Sequence, residues 1–147
     1  MTFSITNLKR DLAVDEGSRA TRYRDSAGHW TIGVGHNLDA SPLPSGWREP
    51  LTQTQIDELF SRDVSRTLAG LDQHLPGWRS RPEPVARSLA NMAYNLGVAG
   101  LLGFTTFLRL ISEGRYADAA SDLNGTLWAR QVGARATRIE ALLRSAR

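Results

Sequence analysis

Between Thr52 and Leu71 the apolar residues Ile56, Leu59, Phe60, Val64, Leu68 and Leu71 recur with the three-and-four spacing of one helix face. Thr52 followed by Gln55 is a capping box at its start, and Pro76-Gly77 ends it. A helix this long with one apolar stripe needs partners to cover the stripe. The chain supplies them on both sides as further helical segments. Leu8–Glu16 reads as a first helix, with Asn7 as N-cap, Leu8 and Leu12 on one face, and Gly17 as stop. Pro82 and Pro84 open a helix over Val85–Leu96, closed by Gly97. Shorter helices are expected over Thr105–Glu113, Tyr116–Leu123 and Ala134–Ala146.

Strand character is confined to one place. Arg19–Asp25 and Trp30–Val34 read as two strands joined by the turn Ser26-Ala27-Gly28. Residues 39–50, with three prolines and a glycine, read as loop. The expected fold is therefore α+β and predominantly helical. A small antiparallel β-hairpin lobe (17–51) and a larger all-helical lobe (1–16 and 73–147) are joined by a long helix (52–72), all within one domain. A cleft between such lobes is the natural ligand site.

Composition limits the chemistry. A chain of 147 residues, 41% hydrophobic and 22% charged, can build a core without staples. There is no cysteine, which excludes a thiol nucleophile, a Cys-ligated zinc and disulfides. No apolar run approaches the ~20 residues of a membrane span. The N-terminal MTFSITNLKRDLAVDEG has no signal-peptide h-region, so synthesis in a cytoplasm without a signal peptide is expected. Charge is uneven. Residues 1–73 hold 8 basic and 10 acidic side chains, and residues 74–147 hold 10 and 5. A basic half favours polyanions: nucleic acid, an anionic membrane surface, or a carboxylate- and phosphate-rich wall.

Two carboxylates and a hydroxyl fall close together in the hairpin region. Glu16 ends the first helix, Asp25 sits at the hairpin tip, and Thr31 lies on the returning strand. Glycosidic hydrolysis needs such a carboxyl pair: one gives a proton to the leaving oxygen, the other activates water or attacks the sugar. Singly, each residue has an ordinary reading: a solvated carboxylate, a turn aspartate, a strand threonine. Gly33 and Gly35 mark a backbone that something approaches closely.

Glu16-Gly17, Tyr23-Arg24-Asp25 and Trp30-Thr31-Ile32-Gly33-Val34-Gly35-His36 together resemble the phage-type lysozymes, glycoside hydrolase family 24, the family of the T-even phage endolysin. Glu, eight residues, Asp, five residues, Thr is that family's signature, and both spacings are kept. Thr52–Val64, Asn91–Gly97, Gly103-Phe104-Thr105, and Trp128 with Gln131 and Arg135 resemble its later motifs.

The resemblance implies a muramidase, an endolysin cutting the β-1,4 bond between N-acetylmuramic acid and N-acetylglucosamine in peptidoglycan. Glu16 would be the general acid, and Asp25 and Thr31 would place the attacking water, with inversion. It also implies an ion pair of His36 with Asp63, Arg135 near the catalytic glutamate, and substrate contacts at Tyr94, Asn37, Phe107 and Asp122. The stretch from His36 to Thr52 is about a dozen residues shorter than in the T-even enzyme. The enzyme would act on the wall, in the periplasm, after release from the host cytoplasm.

No cofactor and no metal are expected: His29, His36 and His74 show no ligand spacing. There is no Gly-x-Ser-x-Gly elbow and no P-loop lysine. A lytic transglycosylase would need only one acid, so Asp25 and Thr31 in register argue against it. A non-catalytic peptidoglycan- or protein-binding module on the same fold is the other alternative. The sequence has no recognisable nucleic-acid motif, so nucleic acid is not an expected partner. The basic half would instead hold a monomer electrostatically on an anionic wall or outer-membrane surface.

Overall fold

A computed structural model describes residues 2–146. The fold is α+β: 63% of it is helical, with a small three-stranded antiparallel sheet. By packing, the chain divides into two compact units, Lys9–Arg66, and Met1–Leu8 with Thr67–Arg147. Helix α1 (Ile5–Glu16) and helix α2 (Gln53–His74) each contribute residues to both.

In the first unit β1 (Arg19–Arg24) pairs with β2 (Trp30–Gly33), and β2 with β3 (His36–Asn37). The expected hairpin is thus a three-stranded meander. The third strand is only two residues long, too short for alternation to reveal. Tyr23 lies opposite Thr31 and Thr31 opposite Asn37, so these three side chains share one face. Ile32 and His36 share the other. Between Arg19 and Tyr23 the register is irregular, next to the site described below.

The face carrying Ile32 packs on an apolar core. Ile32, Val34, Leu51, Ile56 and Leu59 form a core, with Ala20, Leu38, Leu43, Trp47 and Phe60 packed around it. Here the apolar stripe of α2 finds its cover. The outer edge of β1 is closed by the segment before α2. Leu51 N–H donates to Ala20 O (2.9 Å), and the Glu49 carboxylate accepts from Arg22 N–H and Nε, both at 2.7 Å. A covered edge cannot recruit another strand.

In the second unit α3 (Glu83–Leu96) is central, with Val85, Ala86, Leu89, Ala90, Met92 and Ala93 buried. Around it run α4 (Val98–Leu102), α5 (Thr105–Ser112), α6 (Tyr116–Asn124), α7 (Leu127–Val132) and α8 (Ala134–Ser145). Helices α4 and α7 are additions to the sequence expectation. Each is five or six residues long and parted from its neighbour by one glycine, Gly97 or Gly133. Periodicity cannot mark a helix of one turn and a half. Among the described residues no helix is long and apolar enough to cross a membrane.

Two helix starts decide between candidates. Helix α1 begins earlier than Leu8: Ser4 Oγ accepts from Asn7 N–H at 3.1 Å, so Ser4, not Asn7, caps it. Its first turn carries the exposed Ile5 and lies outside the apolar pattern that begins at Leu8. Helix α2 starts where its capping box places it. Gln55 N–H donates to Thr52 Oγ1 (3.1 Å) and Thr52 N–H to Gln55 Oε1 (3.0 Å). Thr52→Ala removes one half of this exchange and should lower unfolding stability by about 1 kcal/mol. Urea denaturation checks this; an unchanged midpoint contradicts the cap's role.

Candidate active site

Glu16 is the last residue of α1, where Gly17 N–H returns to Ala13 O and Gly17 takes a positive φ of 69°. That stop turns the chain at once into β1, so Glu16 stays beside the sheet. Its carboxyl rests on the backbone of Gly35, in the two-residue turn between β2 and β3. A Cβ built on Gly35 would lie 2.6 Å from Glu16 Cδ and 2.9 Å from Oε1. This is the close approach that the paired glycines announce. Gly35 also has φ +71°, which L side chains adopt reluctantly.

Asp25 follows β1 at the hairpin tip. Its Oδ1 accepts from Ala27 N–H (2.9 Å) and His29 N–H (2.8 Å), and its own N–H donates to His29 O. The turn reading is therefore realised, but through one oxygen; Oδ2 is left to accept from another donor. Thr31 is buried on β2, and its hydroxyl donates to His29 O at 2.9 Å. That leaves the Thr31 oxygen lone pairs as acceptors. A shared anchor, His29, thus holds both side chains.

Tyr23, which sequence reasoning did not single out, belongs to this group. It faces the same way as Thr31, and its phenol is pushed up from the ordinary tyrosine value. Burial does most of this; the Glu16 and Asp25 charges add to it, and Arg19 opposes it. Arg19 lies over the ring with its guanidinium carbon 4.7 Å from the centroid. Its sequence signal was its place in the Tyr23-Arg24-Asp25 block.

On the opposite face of the sheet, His36 Nδ1 meets Asp63 Oδ2 at 2.7 Å, and Nε2 meets Ser41 O at 2.7 Å. His36 is 3% exposed. A carboxylate and a carbonyl both accept, so both ring nitrogens must carry protons: the geometry fits an imidazolium. Burial alone would lower the His36 pKa. The hydrogen bond and charge of Asp63, with the Ser41 carbonyl, outweigh burial and the nearby Arg66, and the net direction is upward. The expected His36–Asp63 pair is thus present, joining β3 to α2.

The remaining expected residues divide between the units. Asn37, on β3, turns its Oδ1 to Asp39 and Ala40 N–H groups. Tyr94, Phe107, Asp122 and Arg135 lie in the helical unit. Phe107, fully buried on α5, and Asp122 both line a concavity of about 390 Å³, with Phe104, Thr105, Thr126 and Trp128. Phe104 and Trp128 meet edge to face there, at 6.1 Å. Tyr94 is half-buried on α3. Arg135 is buried, its Nε donating to Asn91 Oδ1 at 2.8 Å.

With the geometry in place, comparison with known proteins is informative. Residues 13–145 match the phage lysozyme family. Two proteins of Dictyostelium discoideum named probable T4-type lysozymes 1 and 2 are 26% and 27% identical; the matches cover 95% and 92% of this chain and 94% and 92% of theirs. The pre-baseplate central spike protein Gp5 of Enterobacteria phage T4 is 27% identical over 88% of this chain, which spans 26% of that protein. The chain belongs to the phage lysozyme family. It is a glycoside hydrolase of the lysozyme class.

Two outcomes follow. Gly35→Ala puts a methyl group where the Glu16 carboxyl rests, and Glu16, the flexible partner, must swing aside. Lysozyme activity should fall ~10²-fold or more, with far less change in melting temperature; a variant of full activity contradicts the contact. The second concerns pH. A raised His36 pKa means its contribution is complete below the unfolded value of about 6.5 and disappears as pH rises through the folded value. His36→Asn removes the buried charged partner of Asp63, which keeps Arg66 at 3.5 Å, and should cost ~1–3 kcal/mol near pH 5.5, and clearly less at pH 9. Chemical denaturation at both pH values checks it; equal losses would mean that the imidazole is only packed.

Proposed function

We propose that this enzyme hydrolyses the β-1,4 bond between N-acetylmuramic acid and N-acetylglucosamine in bacterial peptidoglycan, with inversion. The observation that carries this reading is the placement of the Glu16, Asp25 and Thr31 side chains around one stretch of sheet, with Glu16 seated on Gly35. Glu16 acts as general acid and passes its proton to the glycosidic oxygen as the C–O bond breaks. A water attacks the anomeric carbon from the opposite side of the ring. Thr31 Oγ1, its own proton committed to His29 O, accepts one water hydrogen. Asp25 Oδ2 takes the other as the new bond forms. An inverting pair needs its carboxyls ~6.5–9.5 Å apart to admit that water.

The substrate agrees with the charge. Stem peptides and wall polymers carry carboxylates and phosphates, and the basic C-terminal half attracts them. This field acts on association and weakens with salt. An enzyme of this kind works at the wall after release from the cell that makes it.

The test is Glu16→Gln, which keeps size and loses the transferable proton. Clearing of purified peptidoglycan should drop by ~10²–10⁴-fold or more while the melting temperature holds. New reducing ends should appear with the wild type. A fully active Glu16→Gln enzyme, or a product lacking reducing ends, as an anhydro-forming transglycosylase would give, overturns the proposal.

A further inference from the structure

One peptide group, between His29 and Trp30, ties the water-holding residues to the turn after β3. Its carbonyl, His29 O, accepts from Thr31 Oγ1 and from Asp25 N–H, both at 2.9 Å. At the other end of the same peptide, Trp30 N–H donates to Asp39 Oδ2 at 3.2 Å. Strand β3 stops at Asn37, and the ladder ends with Leu38 N–H donating to Trp30 O at 2.8 Å. A longer β3 would offer Trp30 N–H a carbonyl; the Asp39 carboxylate stands there instead. Asp39 is itself held. Its N–H, with that of Ala40, donates to Asn37 Oδ1, and its carboxylate meets His29 Nδ1 at 3.4 Å.

We infer that Asp39 is a positioning residue for the reaction: its carboxylate, bound to Trp30 N–H, fixes the peptide from which Thr31 and Asp25 hang. The inference rests on the muramidase reading above. A peptide group is planar and rigid, with N–H and C=O pointing opposite ways. Holding the N–H therefore aims the carbonyl. His29 O in turn aims the Thr31 hydroxyl, whose proton it accepts, and so the lone pairs that Thr31 turns to the water. Asp25 N–H is anchored on the same oxygen, so both residues take their direction from one amide. A negative charge on the N–H also polarises the amide and makes its carbonyl a better acceptor. Asp39 is half exposed, so water can satisfy Trp30 N–H in its absence, but water does not hold the peptide to the turn after β3. Arg24 braces the hairpin tip separately. It donates to Gly28 O at 2.8 Å and lies 4.3 Å from the Trp30 ring centre. Loss of Asp39 should therefore fall on the aim of the site and leave the hairpin formed.

The experiment compares wild type with Asp39→Ala, Asp39→Asn and Asp39→Ser, with Glu16→Gln as control. It measures kcat and KM on soluble peptidoglycan fragments, melting temperature, and hydrogen exchange of the Trp30 amide by NMR. Asp39→Ala should lose ~10–100-fold in kcat with KM little changed, and its Trp30 amide should exchange faster. Asp39→Asn keeps an oxygen acceptor at the same reach and should stay within about threefold of the wild-type kcat. If the alanine variant does not fold, Asp39→Ser decides and should show the alanine result: serine suits the turn but stops a bond short of Trp30 N–H. A deciding variant with wild-type kcat or unchanged Trp30 exchange overturns the inference, as does a loss confined to KM. An Asp39→Asn enzyme as impaired as the deciding variant also overturns it, because the charge and not the tie to Trp30 would then matter. Those outcomes, with Glu16→Gln inactive, leave the muramidase reading standing. An active Glu16→Gln enzyme removes both.

Discussion

The contact between the Glu16 carboxyl and the Gly35 backbone is the constraint on which the site depends. One side of it is the end of a helix, the other a two-residue turn in a sheet. Gly17 lets α1 stop and the chain turn at that residue; Gly35 lets the turn pass under the carboxyl without a side chain. Neither position tolerates a Cβ without strain. Fixing the acid to the sheet fixes it relative to Thr31 and Asp25, which both hang from His29. A small lobe of few strands can hold such a constellation because every member lies within one short stretch of chain.

The sheet itself is held from behind. Ile32 and His36 face α2, the first through apolar packing and the second through Asp63. Ser41 extends the same tie to the segment after β3. A buried ion pair is poor evidence of net stability, but it is good evidence of register. Sliding β3 by one residue would turn His36 away from Asp63 and Gly35 away from Glu16 together. The imidazolium and the acid are thus linked through adjacent residues, one on each face of the sheet.

Much of this was legible in the residues. The capping box at Thr52, the α2 stripe and the single patch of alternation gave the α+β class, because each is a local pattern with one strong physical cause. The two glycines announced a close approach without naming Glu16, since proximity across a turn is not a periodicity. Strand β3 and helices α4 and α7 were too short to carry a period. Asn7 looked like a cap because the apolar pattern starts after it, whereas Ser4 caps a first turn that buries little. Phe107 lines the same concavity as Asp122 while its side chain is buried in the core; an aromatic on an amphipathic helix reads the same way in either place. Tyr23 was quoted only as part of a motif, because its place beside Thr31 and under Arg19 depends on strand pairing that no local pattern shows.

In the proposed reaction Thr31 and Asp25 hold a water opposite the leaving group, so the central claim concerns the stereochemistry of a single turnover. Proton NMR of the freshly cut saccharide, recorded before mutarotation, measures it directly. The account predicts the α-anomer at the new reducing end, from direct displacement of a β-linked sugar by water. Release of the β-anomer first would mean a covalent intermediate in place of the held water, and would contradict it.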